Sequence, residues 1–202
     1  MRNIWIPAIL IVLSLGTPAQ EVSSKPMVSN NPITSDQIAV YRAVLSDFLK
    51  GSDNALNLAN ITDPIDVTDQ TCLRGMDGGV IKEAASVVHR LAPELVAGTR
   101  VVLVDPDRQQ KAVDENDPQK LIRSAIDQQG KVTDEQLDES IKNAFRTALF
   151  TLSEIVFDNQ HRRAVVAYSF TCGMLCGNGN TLALKKIGNT WKVAKRCGGW
   201  AS

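Results

Sequence analysis

The segment Cys172-Gly173-Met174-Leu175-Cys176 joins two stretches in which apolar and β-branched residues alternate with polar ones. This alternation is typical of β-strands, and glycine-rich spacers are typical of the turns between them. A spacer of three residues at such a turn can bring the Cα atoms of Cys172 and Cys176 within bonding distance. The pattern therefore predicts a β-hairpin whose tip is closed by a disulfide.

The N-terminus has the pattern of an export signal. A short cationic start precedes an almost wholly apolar run from Ile4 to Leu15, and small residues stand before Gln20. The run is too short to cross the roughly 30 Å hydrocarbon core of a bilayer comfortably. We therefore expect a signal peptide at 1–19, a disordered leader at 20–33 and a single α+β domain at 34–202. An uncleaved anchor is the alternative. The mature protein would be secreted or periplasmic, with no membrane span after signal cleavage.

Export favours disulfides, because the compartments outside the cytosol are oxidising. The four cysteines lie in the expected mature part and allow three pairings. We favour Cys172–Cys176 together with Cys72–Cys197. By the chain-entropy model, the long loop would stabilise the fold by about 5 kcal/mol and the short loop by about 2 kcal/mol.

Capping signals predict where most of the helices begin. Thr34 to Gln37 and Thr133 to Gln136 are capping boxes, and Asp117 followed by proline is a helix start. The helices predicted from these signals end near Gly51, Leu149 and Gly130, and a further helix is predicted over Val80–Leu91.

Period-two patterns dominate the C-terminal part. They predict strands at Leu152–Phe157, Arg163–Thr171, Thr181–Ile187 and Thr190–Cys197, with shorter strands within Ala55–Ile61 and Arg100–Val104. Asp105-Pro106-Asp107 is interpreted as a turn. The predicted fold is α+β, with N-terminal helices packed on a C-terminal four-stranded antiparallel meander.

Composition argues against several functional classes. Lys plus Arg and Asp plus Glu both total 22, so no overall charge favours nucleic acid, and no nucleic-acid partner is expected. His89 and His161 are the only histidines, too few for a typical zinc hydrolase, and are interpreted as surface or half-buried side chains. No catalytic residue, metal ligand or cofactor is assigned.

The cysteine loop is the leading candidate site. We expect an exported non-catalytic domain that binds an unknown protein or small ligand near the loop residues Met174, Gly177, Asn178 and Gly179. The alternative is a thiol-redox or copper-binding protein that uses Cys172 and Cys176, with sulfur from Met174 for copper. A weaker third hypothesis is a hydrolase that uses the acidic residues of one loop. These residues are Asp105, Asp107, Asp114, Glu115 and Asp117.

The C-terminal third also resembles a group of uncharacterised exported bacterial proteins. The resemblance depends on a turn at Asp158-Asn159, the Cys-Gly-x-x-Cys-Gly pattern and a final hairpin around Trp191. It covers about fifty residues. It implies an exported bacterial protein and no catalytic residue.

Overall fold

The computed structural model describes residues 26–65, 72 and 87–202. The predicted signal peptide lies outside these residues. The α-helices are α1 (Ser35–Phe48), α2 (Pro106–Glu115), α3 (Pro118–Asp127) and α4 (Asp134–Thr147), and a short 3-10 helix spans Pro93–Val96. The strands are β1 (Met27–Val28), β2 (Leu56–Ala59), β3 (Val87–Val88), β4 (Val101–Val104), β5 (Leu149–Leu152), β6 (Val156–Phe157), β7 (Arg163–Gly173), β8 (Cys176–Ile187) and β9 (Thr190–Ala201). In this part of the chain, no helix is long and apolar enough to cross a bilayer.

Helices α1, α3 and α4 begin where the capping signals predict. Thr34 accepts a hydrogen bond from the Gln37 backbone at 3.2 Å, and the Gln37 side chain bonds back to the Thr34 backbone. Thr133 and Gln136 cap α4 in the same way. Asp117 caps α3. These bonds satisfy N–H groups that a helix leaves without an intrahelical partner.

The main sheet of the described residues is mixed. Its strand order is β4-β2-β5-β7-β8-β9, and β6 also pairs with β7. Strand β2 runs parallel to β4 and β5, whereas β5, β7, β8 and β9 form antiparallel pairs. The α+β class is confirmed, but the predicted antiparallel meander is only part of a mixed sheet. The meander is extended by parallel strands.

The predicted arrangement of the helices is also wrong. Strands β2 and β4 precede α2, α3 and α4, which together form the connection from β4 to β5. Parallel strands on the same sheet need such a long connection, because a tight turn can only reverse the chain. These three helices are therefore inserted within the sheet topology, whereas α1 precedes the main sheet.

Two local predictions fail for identifiable reasons. Asp105 does not begin a turn but caps α2, where its side chain accepts a hydrogen bond from Arg108 N at 2.9 Å. Only 87–91 of the helix predicted over Val80–Leu91 lies in the described residues, and there Val87–Val88 is a strand paired in parallel with Met27–Val28. The strand Met27–Val28 lies within the segment 20–33, which was predicted as a disordered leader. Residues 20–25 of that segment lie outside the described residues.

The core joins α1 to the centre of the sheet. Tyr41 and Val44 of α1 are fully buried, as are Leu58 of β2 and Phe150 of β5. Complete burial of an apolar side chain of this size contributes about 1.5–3 kcal/mol. Phe150 begins a group of aromatic rings that continues to α4 through Phe48, Phe170 and Phe145.

Candidate functional site

The predicted hairpin is present, with its turn at Met174 and Leu175 between β7 and β8. Cys172 and Cys176 are disulfide-bonded, and their Cα atoms lie 5.0 Å apart. The second disulfide joins Cys72 to Cys197, with a Cα separation of 5.3 Å. This is the pairing favoured from the sequence.

Three of the four predicted loop residues lie in a strand instead. Gly177, Asn178 and Gly179 belong to β8 and pair with β7, and Asn178 and Gly179 also pair with β9. The Trp200 ring of β9 lies against the two glycines, since a Cβ at Gly177 would be 3.1 Å from that ring. Glycine is therefore compatible with a strand here because its bare backbone accommodates an aromatic ring of the adjacent strand.

Replacing Gly179 by valine is expected to lower the free energy of unfolding by about 1–3 kcal/mol, a typical cost of overpacking. A Cβ at this position would lie 2.9 Å from the Tyr168 backbone oxygen and closer still to Trp200 Nε1. Urea denaturation measures the change. Gly130→Val is the matched control, because a Cβ at Gly130 would make only an ordinary 3.7 Å contact. Equal stability of the two variants would contradict this assignment.

The hairpin tip is attached to the N-terminus of α3 through Asp117. One carboxylate oxygen of Asp117 accepts a hydrogen bond from Met174 N at 3.0 Å. The other caps the helix by accepting from Gln119 N at 3.0 Å. Gly173 has a positive φ of 147°, and a Cβ there would lie 2.8 Å from Asp117. The disulfide and the carboxylate together fix the position of Met174 and Leu175 over α3.

An apolar groove lies beside this tip, between α3 and α4. We call it the tip groove, and its volume is about 360 Å³. Residues of α3, α4 and the hairpin line the groove. The lining contains a single carboxylate, that of Asp117. The apolar residues used below are Ile122 of α3, Leu137, Ile141 and Phe145 of α4, and Leu175 of the hairpin tip.

Helix α3 carries the clearest sign that this face is unpartnered. None of its residues is buried, although Ile122 and Ile126 lie on one side of it at helical spacing. Ile126 is 68% exposed and Leu175 is 67% exposed. The Gln119 side-chain oxygen is buried and has no hydrogen-bond partner among the described residues. At the groove, the described residues therefore leave an apolar surface exposed and one hydrogen-bond acceptor without a partner.

Sequence reasoning identified Met174 here but missed the helical side of the groove. The available signal was the repetition of Ile122 and Ile126 in α3 and of Leu137, Ile141 and Phe145 in α4. Such spacing predicts one apolar face on each helix. It does not reveal that the face stays exposed, because burial depends on what packs against it.

The cysteines of the redox or copper hypothesis and the acidic residues of the hydrolase hypothesis have mainly structural partners. Cys172 is buried, and the disulfide joins β7 to β8, whereas a redox-active pair stands at the start of a helix. The N-terminus of α3 lies beside the tip, but it is capped by the carboxylate of Asp117. Of the acidic cluster, Asp105 and Asp117 are helix caps. Asp114 accepts a hydrogen bond from Gln110, and Glu115 lies 3.9 Å from Lys111.

A buried polar cluster was not predicted. Thr62, Ser153 and Glu154 are the buried polar residues of the described chain, and they lie together beside His89. One oxygen of Glu154 accepts hydrogen bonds from the Thr62 hydroxyl, from His89 N at 2.9 Å and from His89 Nδ1 at 3.0 Å. The cluster lies just after the carboxyl ends of β2 and β5. Its hydrogen bonds connect the segments that follow these two strands.

Tyr41 extends this cluster into the core. Its hydroxyl donates a hydrogen bond to the Ser153 carbonyl at 3.0 Å. Burial raises the pKa of Tyr41 well above its ordinary value, and the negative charge of Glu154 raises it further. His89 was interpreted as half-buried on a helix; it is half-buried but follows β3. We regard the cluster as a structural crosslink.

Comparisons with known proteins assign no family to the chain. No family model, curated protein or solved structure matches it.

Proposed function

We propose that the protein is an exported, non-catalytic binding domain whose tip groove receives an apolar segment of a partner. The observation that supports this most directly is that α3 buries none of its residues in its own domain. An exposed, contiguous apolar face of this kind is characteristic of an interaction surface. Export itself is supported by the N-terminal pattern and by the two disulfides.

The groove is preorganised for binding. The Cys172–Cys176 disulfide and the Asp117 hydrogen bond hold the tip in place before any partner arrives. A rigid surface loses little conformational entropy on association, so more of the contact energy contributes to affinity. Met174 is 61% exposed beside the groove and supplies a flexible side chain that can adapt to the partner.

A neutral fluorescent probe, N-phenyl-1-naphthylamine, should bind in the tip groove of dilute protein. Leu175→Asp is expected to weaken this binding about 10- to 100-fold, because it removes an apolar contact worth about 1.5–3 kcal/mol. Fluorescence titration measures the loss. Circular dichroism of each variant checks that the fold is retained.

Ile187→Asp is the matched control, because Ile187 is 60% exposed at the opposite end of β8. It should bind the probe as the unmodified protein does. If the two variants bind the probe equally well, the groove is not the binding surface and the proposal fails.

A further inference from the structure

We propose that the protein has a second binding site, at which the exposed tryptophan of β9 stacks on a neutral saccharide. The site is a strip of five residues on one face of the sheet, which we call the Trp200 platform. Its members are Ser169 and Thr171 of β7, Gly177 and Gly179 of β8, and Trp200 of β9. The platform is separate from the tip groove, so its ligand binds independently of the proposed function.

Strand register places the five residues of the platform on one face. Ser169 pairs with Gly179, which in turn pairs with Trp200. Thr171 pairs with Gly177, the second glycine against which the indole lies. Directly opposed residues of neighbouring strands project to the same face of a sheet, and so do residues two apart in one strand. The two hydroxyl side chains and the indole therefore point to the same side.

The tip groove lies on the other side of the sheet. Phe170 stands between Ser169 and Thr171 in β7, and the side chains of a strand alternate between its two faces. The Phe170 ring stacks on Phe145 of α4, which lines the tip groove. The platform and the tip groove are therefore two distinct surfaces.

The indole of Trp200 is supported by bare backbone. Its atoms Nε1 and Cε2 lie nearest to Gly179, and its atoms Cζ3 and Cη2 lie nearest to Gly177. The long axis of the ring therefore follows β8 over two successive positions of this face. Although the ring rests on the strand, Trp200 remains 50% exposed. A side chain held in this way loses little rotamer freedom when a ligand covers it.

The polar groups beside the ring favour an uncharged ligand that carries hydroxyl groups. Ser169 and Thr171 are half-buried, and their hydroxyls make no hydrogen bond with any described residue. Each hydroxyl can donate and accept, whereas the Trp200 Nε1–H group can only donate. No residue of the platform is charged, so an ionic ligand meets no opposite charge within it.

A saccharide matches both parts of the platform. The carbon-bound hydrogens on one side of a sugar ring carry a partial positive charge, and the face of an aromatic ring is negative. The apolar side of the sugar can therefore stack on the indole, while its hydroxyl groups bond to Ser169 and Thr171. A ligand without hydroxyls would leave these two groups to water.

Titration of ¹⁵N-labelled protein with cellotriose tests the platform directly. The hydroxyls of cellotriose are equatorial, which leaves flat apolar faces on its rings. The indole N–H signal of Trp200 should shift at millimolar cellotriose, with a Kd of about 1 mM. The signal of Trp191 should stay in place, because Trp191 is only 3% exposed and its Nε1 donates to Asp36.

Two results of this titration would overturn the proposal. The first is an unchanged Trp200 signal up to about 10 mM cellotriose and, separately, triacetylchitotriose. The second is an equal shift with tetramethylammonium chloride, because the ring would then bind cations through its π face and not saccharides.

Variants locate the bound saccharide by ligand-observed NMR titration. Trp200→Ala should weaken cellotriose binding about 10-fold or more, and Trp200→Phe should retain most of it, because the aromatic face is kept. Thr171→Val keeps the β-branched shape but removes a hydroxyl, and should weaken binding about 3- to 10-fold. This milder variant keeps the test decisive if Trp200→Ala does not fold, which circular dichroism checks.

Leu175→Asp is the control that separates the two sites. It alters the tip groove on the opposite side of the sheet and should bind cellotriose as the unmodified protein does. If Leu175→Asp loses cellotriose and Thr171→Val keeps it, the saccharide occupies the tip groove and the Trp200 platform is refuted. Loss of N-phenyl-1-naphthylamine alone in Leu175→Asp supports both sites.

Discussion

Replacing Glu154 by alanine is expected to lower the free energy of unfolding by about 3 kcal/mol. Glu154 is 5% exposed, and one of its oxygens accepts three hydrogen bonds. Its removal takes the acceptor from His89 Nδ1 and leaves the Thr62 hydroxyl with only the His89 carbonyl, 3.2 Å away. An unsatisfied buried donor costs about 1–3 kcal/mol. Urea denaturation at neutral pH measures the change.

A double-mutant cycle with Thr62→Val isolates the central hydrogen bond. Valine keeps the shape of threonine but removes the donor, so Glu154→Ala should cost less in the Thr62→Val background than in the original protein. A loss below about 1 kcal/mol for Glu154→Ala would mean that this carboxylate is already solvated. In that case the cluster does not crosslink the ends of the parallel strands.

Replacing both Cys72 and Cys197 by serine is expected to lower the free energy of unfolding by about 5 kcal/mol, because this disulfide limits the conformational freedom of a very long loop in the unfolded chain. The sequence separation of the two cysteines is 125 residues. Thermal and urea denaturation under non-reducing conditions measure the effect. A loss of this size removes much of the stability of an ordinary domain, which totals about 5–15 kcal/mol.

The second disulfide provides an internal comparison. Cys172 and Cys176 are separated by only four positions, so replacing both should cost about 2 kcal/mol. This pair is expected to matter more for the shape of the tip than for global stability. If the two double variants are equally stable, loop length does not govern the contribution of these bonds.

Local signals predicted local structure well. Thr34 with Gln37, Thr133 with Gln136 and Asp117 with its proline each mark the start of a helix, because capping involves residues within one turn. The same signature stands at Asp105-Pro106 and begins α2, although a turn was predicted there.

Non-local pairing was not predictable in the same way. The strand within Ala55–Ile61 was predicted, but its parallel neighbours β4 and β5 lie far from it in the chain. A parallel pair leaves no turn signal between its strands, since the connection is long and contains helices. Likewise, nothing near Gly177 and Gly179 indicates that Trp200 covers them.

The sequence by itself determined the disulfide-closed hairpin tip, the main helix starts and the last three strands of the meander, because each depends on residues that are neighbours in the chain. The predicted strand Leu152–Phe157 is instead divided between the end of β5 and β6. Only the tertiary structure decided what surrounds that tip. It placed Met174 against Asp117, left the apolar faces of α3 and α4 exposed beside it, and gathered Thr62, His89 and Glu154 into one buried cluster. Burial and exposure depend on which distant segments pack together, and that choice is made by the whole chain.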